Sequence, residues 1–80
     1  MDIKTAIVEH VLEVCDQRGI CPNDLAVRAG VTPSTVYSML DPSREDIYVS
    51  TIKKLCDGLE ISITEFFDTK VFRELEQEVK

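Results

Sequence analysis

Hydroxyl groups are the chemistry this chain concentrates. Between Thr32 and Ser38 it reads TPSTVYS, so Thr32, Ser34, Thr35, Tyr37 and Ser38 each carry one. Serine and threonine hydroxyls hydrogen-bond phosphate oxygens or base edges, but they discriminate weakly between bases. From Pro33 to Leu40 there is no Arg, Lys, Asn or Gln, the side chains that make bidentate base contacts. Other chemistry is thinly represented. The cysteines Cys15, Cys21 and Cys56 form no CxxC pair and His10 is the one histidine, which argues against a zinc site. The three thiols are expected to be reduced, buried and apolar in character, as in a cytosolic protein. His10 is expected to be a solvated helix residue. No Ser, His and Asp arrangement suggests nucleophilic catalysis, and no paired carboxylates suggest acid–base work. The chain is therefore not expected to be an enzyme, and no cofactor is implied.

The elements that must position these hydroxyls all show helical period; no alternating strand pattern appears. A first helix is expected from about Ile3 to Arg18, with Ile3, Ile7, Val11 and Cys15 on one stripe and Val8, Leu12 and Val14 widening it. Gly19 ends it, and Arg18 suits its negative end. A second helix opens at Cys21-Pro22, with Asp24 in its first turn and Leu25, Ala26 and Ala29 inward. A third has Thr32 as cap and Pro33 at its first position, with Val36, Met39 and Leu40 inward. Asp41-Pro42 stops it, because a residue before proline avoids the helical region. A polar loop runs to about Tyr48. A fourth helix spans about Ser50 to Leu59, with Ile52, Leu55, Cys56 and Leu59 inward, closed by Gly58-Leu59-Glu60. Ser62-Ile63-Thr64-Glu65 resembles a capping box, with Ser62 or Thr64 as cap, for a fifth helix carrying Phe66 and Phe67. The tail from Thr69 continues as helix, with Val71, Phe72, Leu75 and Val79 at helical spacing.

The stretch PNDLAVRAGVTPSTVYSMLD, Pro22 to Asp41, thus reads as helix, short turn, helix. Ala26 and Ala29 are small where two crossing helices nearly touch, and Gly30 allows a positive backbone dihedral in the turn. Leu25, Val31, Val36 and Met39 pin the pair to the core. This is a helix-turn-helix, the arrangement that pushes one helix into the major groove of double-stranded DNA.

The pattern resembles the Cro and phage-repressor type of helix-turn-helix regulator over about residues 4 to 68. The motif stretch here is LAVRAGVTPSTVYSML, and a later stretch, LCDGLEISITEFF from Leu55 to Phe67, matches a second family segment in the right order. The resemblance implies a compact five-helix bundle, commonly dimeric, that regulates transcription at a short inverted repeat. It places a phosphate contact on Thr32 and the base-reading positions on Pro33, Ser34 and Ser38, flanked by Thr35 and Tyr37. The family's polar residue opening the second helix is Pro22 here, with Asn23 as its replacement in contacting phosphate. The positions of an Arg–Glu pair that some members bury are Cys15 and Leu40, both apolar, a replacement that packing tolerates.

Charge pulls the other way. The 80 residues carry a net charge of −6. Between Cys21 and Val49, Arg28 and Arg44 face Asp24, Asp41, Glu45 and Asp46, two positive against four negative, a local sum of −2. Phosphate attraction comes from Lys and Arg, so reliance on dimer pairing and groove shape is expected. Arg44 is read as a phosphate contact or a solvated charge, and Tyr37 as a DNA contact or a half-buried aromatic. Lys53 and Lys54 face the DNA backbone or solvent. The apolar stripe of the tail folds back on the first helix or pairs with a second subunit.

Together these readings predict an all-α protein: a compact five-helix helix-turn-helix domain of the phage-repressor type over residues 1–68, with a C-terminal helical extension over 69–80. The expected function is sequence-specific DNA binding by a cytoplasmic homodimeric repressor through a recognition helix at about 33–40. The alternative is the same scaffold reused as a protein-interaction module or antitoxin. No apolar run is long enough for a membrane span. Asp2, Lys4, Glu9 and His10 interrupt any secretory signal.

Overall fold

The structure, a computed structural model, describes residues 2–75. Among them are six helices and no strand: α1 Ile3–Arg18, α2 Pro22–Ala29, α3 Pro33–Leu40, α4 Val49–Gly58, α5 Ile63–Phe67 and the one-turn α6 Lys70–Arg73. The all-α architecture and the first five elements agree with the sequence reading. The tail differs. It does not run on as one helix from α5, because Asp68 leaves the helical region at φ −84°, ψ 66° and separates α5 from α6. Val79 lies outside the described residues.

Side-chain caps set the helix starts. The Asp2 carboxylate accepts the Thr5 N–H at 2.8 Å at the head of α1. Ser62, and not Thr64, caps α5: its hydroxyl accepts the Glu65 N–H at 3.0 Å, and the Glu65 carboxylate accepts the Ser62 N–H at 3.2 Å. At the head of α2 the Asp24 carboxylate reaches back and accepts from both the Cys21 N–H at 3.1 Å and the Cys21 thiol at 3.2 Å. Cys21 is therefore exposed, against expectation, because its thiol faces this carboxylate at the surface. Cys15 and Cys56 are buried, and burial pushes both thiols above their usual range.

The core gathers Ile7, Val11, Val14 and Cys15 of α1, Leu25 and Ala26 of α2, Val36 and Met39 of α3, Ile52, Leu55 and Cys56 of α4, then Leu59 and Phe66. Two expected members of the α1 stripe, Ile3 and Leu12, are exposed instead, and Ala6 is buried. Ile3 sits at the helix end, and Leu12 lies on the flank where neighbouring helices no longer cover it. Ala29 and Leu40, expected inward, are half-buried against the core.

Two cations of α1 reach helix ends elsewhere in the chain. Lys4 is only 8% exposed, and its Nζ donates to the Asp41 carbonyl at 2.7 Å, the C-cap of α3. Arg18 lies in the last turn of α1, as expected, and also donates through Nη1 to the Leu59 carbonyl at the C-cap of α4. Both put positive charge where a helix leaves carbonyls unmet and its dipole is negative.

Helix α4 packs closely on the end of α2. A Cβ added at Gly58 would lie 2.8 Å from the Ala29 nitrogen and 2.9 Å from its Cα. Gly58 stays helical, and the left-handed residue that turns the chain after α4 is Glu60, with φ +60°. Beyond Asp68, Phe72 of α6 folds back: its ring centroid is 4.8 Å from Phe67, 6.0 Å from Phe66 and 5.7 Å from His10. His10 also meets Phe66 edge-on at 4.8 Å, so its ring is largely covered and is not the solvated residue expected.

Two measurements check this account. Gly58→Ala, which elsewhere in a helix gains stability, should here lose about 1–3 kcal/mol in urea unfolding, since rigid backbone blocks the added methyl. In acid, Asp2, Asp24 and Asp41 should act together. Backbone hydrogen bonds from Thr5, Cys21 and Ser43 respectively hold each carboxyl below its ordinary 3.8. The folded value lies under the unfolded one, so the stabilisation is complete above the ordinary value and is lost as pH falls through the folded one. Urea midpoints should therefore drop between about pH 5 and pH 2, and less steeply in Asp41→Asn.

Candidate nucleic-acid interface

The turn between α2 and α3 is three residues long. Gly30 takes φ +71°, its N–H closing on the Val27 carbonyl at 3.2 Å, and the Val31 N–H returns to the Ala26 carbonyl at 3.1 Å. Val31 drops onto the core and Thr32 then begins α3. The base of α3 is anchored by Val36, fully buried, and Met39. Its opposite side is left open: Thr32, Pro33 and Ser34 are exposed, Tyr37 is 53% exposed, and Thr35 and Ser38 are half-buried.

At the head of α3 three hydroxyls form one cluster. The Thr32 oxygen accepts the Thr35 N–H at 3.3 Å and shares hydrogen bonds of 2.9 Å with both the Ser34 and the Thr35 hydroxyls. Pro33 has no N–H to offer, so the Ser34 N–H is the remaining backbone donor of the first turn that can meet an anion.

Beside α3 runs a cleft of about 260 Å³. Ser34, Thr35 and Ser38 form one wall, Met39 and Ile47 the floor, and Arg44, Asp46 and Tyr48 the far rim, with Thr51 at its end. The loop making that rim is shaped by Asp41, whose carboxylate accepts the Ser43 N–H at 2.9 Å and its hydroxyl at 2.8 Å. These bonds, helped by Arg44 and Lys4, keep Asp41 ionised.

The structure thus brings Ser34, Thr35, Ser38 and Arg44 to one cleft and links Thr32 to its wall. Pro33 and Tyr37 lie on the exposed side of α3 away from that lining. Asn23 is exposed in the first turn of α2 and takes no part in the cleft. Tyr37 is more open than the half-buried alternative requires. Lys53 forms an ion pair with Asp57 one turn on, so its charge is partly spent within α4. Sequence reasoning missed Tyr48, 81% exposed on the cleft rim, and Thr51. The signal was available in Tyr48, an aromatic residue at the end of a polar loop. Among the described residues no group of three or more His, Cys, Asp or Glu side chains could hold a metal ion, and no helix is long and apolar enough to cross a membrane.

Comparison with known proteins agrees with this geometry. A family model described as a Cro/C1-type HTH DNA-binding domain matches residues 10–71. Among solved structures, the crystal structure of the prophage Lp1 protein 11 superposes with a TM-score of 0.81 at 31% identity, covering 92% of this chain and 97% of that one. No curated protein matches the chain.

Proposed function

Because the chain belongs to the Cro/C1-type family of helix-turn-helix DNA-binding domains, we propose that it is a sequence-specific transcriptional regulator whose α3 enters the major groove. The supporting observation is the two-sidedness of α3. One side is locked into the core by Val36 and Met39, and the other carries Thr32, Pro33, Ser34 and Tyr37 with no described segment over it. A helix held rigidly on one side and open on the other is what groove entry requires. The Thr32 hydroxyl cluster and Arg44 supply phosphate contacts on either side of the reading face, and Asn23 adds one from α2.

The regulator acts by occupancy and not by catalysis, in the cytoplasm, as a repressor. It works as a homodimer, since two uncharged reading helices set about 34 Å apart double the contacts one copy makes. The acid residues Asp41, Glu45 and Asp46 beside the cleft favour a second reading, in which this face or its neighbour engages a protein partner.

Binding to duplexes selected from a random pool, measured against salt, separates the two. Arg44 is the one charged group among these contacts, so with one neutralised phosphate per subunit the dimer's log–log salt slope is expected to be about −1.8. Arg44→Glu should lower affinity for every duplex alike and flatten that slope by about 2. Failure of the unaltered protein to retain any duplex at low ionic strength would sink the DNA reading. An Arg44→Glu protein that binds DNA as before would remove Arg44 from the interface.

A further inference from the structure

The open side of α3 carries hydroxyls as its only polar side-chain groups. Pro33 and Tyr37 stand at positions i and i+4, so they share one helix face. The Ser34 hydroxyl is already bonded to Thr32, which in turn holds the Thr35 hydroxyl, both at 2.9 Å. Each hydroxyl keeps further hydrogen-bonding capacity, but a lone hydroxyl discriminates weakly between bases. Beside them the face offers carbon: the pyrrolidine ring of Pro33 and the ring of Tyr37, 53% exposed, whose one polar atom is its terminal hydroxyl. No residue of α3 carries a guanidinium, ammonium or carboxamide. In the major groove the one apolar feature of a base edge is the C5-methyl of thymine, whereas guanine is read through N7 and O6 by cationic side chains.

We propose that α3 reads its operator through thymine methyl groups, packed against Pro33 and Tyr37, and not through hydrogen bonds to guanine. The half-site is accordingly a duplex rich in thymine under the reading helix. Groove geometry brings Pro33, at the head of α3, and Tyr37, one turn on, over neighbouring base pairs. This inference rests on the DNA-binding reading above and specifies which ligand that site takes.

The test uses the whole chain and a duplex selected from a random pool, resynthesised with single-atom-group changes. Replacing thymine by deoxyuridine deletes only the methyl. Each contacted methyl should weaken binding about fourfold, from roughly 0.8 kcal/mol per buried carbon. Replacing guanine by 7-deazaguanine deletes N7, and affinity should stay within about twofold, where loss of a bidentate contact would weaken it roughly 5- to 150-fold. In Tyr37→Ala the deoxyuridine effect should vanish at the thymine beneath that ring; a residue that merely touches phosphate would lower affinity equally for both duplexes. Equal binding of the thymine and deoxyuridine duplexes, or a larger effect of 7-deazaguanine, overturns the inference while DNA binding stands. An unchanged deoxyuridine effect in Tyr37→Ala removes Tyr37 from the readout. A pool that yields no bound duplex removes the DNA reading itself, and this inference with it.

Discussion

Backbone rests on backbone where Gly58 of α4 meets Arg28 and Ala29 at the end of α2, closer than any side chain would allow. Gly30 follows immediately and swings the chain into α3. The direction of α3 is therefore inherited from the seat of α2 on α4. Neither the short turn nor the eight residues of α3 could hold that direction alone, since a helix so short is marginal in isolation. Lys4 and Arg18 close the same frame from the other side. They carry charge from α1 to the C-terminal carbonyls of α3 and α4, so the long first helix braces both the reading helix and the helix beneath it.

That frame presents a reading face of unusual chemistry. Groove-entering helices meet a polyanion, and phosphate contacts normally supply much of the affinity. Here α3 is uncharged, and the residues bordering it carry more acid than base. The hydroxyls at its head are hydrogen-bonded to one another, which ties the first turn together. The chain resembles the prophage protein closely in fold at 31% identity, so the same scaffold accommodates considerable change in its side chains.

The end of the described chain is held by aromatic rings. His10, Phe66, Phe67 and Phe72 meet mostly edge-to-face at 4.8 to 6.0 Å, an arrangement that the ring quadrupoles favour. Phe72 is thereby returned to α1 and α5 of its own chain. Val71, beside it on the same short helix, remains exposed. The apolar spacing of the tail thus divides between an inner and an outer residue, which periodicity alone could not reveal.

What the sequence by itself determined is everything that depends on near neighbours. Thr32-Pro33 announces the start of α3, the stretch Ser62 to Glu65 the start of α5, and Gly30 the turn, because each effect acts within three or four residues. The inward faces of α2, α3 and α4 were legible for the same reason: leucine, valine and methionine recur at helical period, and the family motif lies along them. Tertiary structure alone decided the rest, because those features join residues about forty positions apart or depend on where cover ends. Lys4 is buried only because the end of α3 comes to meet it. Arg18 sits at the negative end of its own helix, and only the arrival of α4 gives it the Leu59 carbonyl. His10 loses its solvent to Phe66 and Phe72, and Leu12 goes bare where its neighbours stop. Gly58 reads as a helix stop, yet it is the place where two backbones touch, and no local pattern records a contact that exists only once both helices are in position.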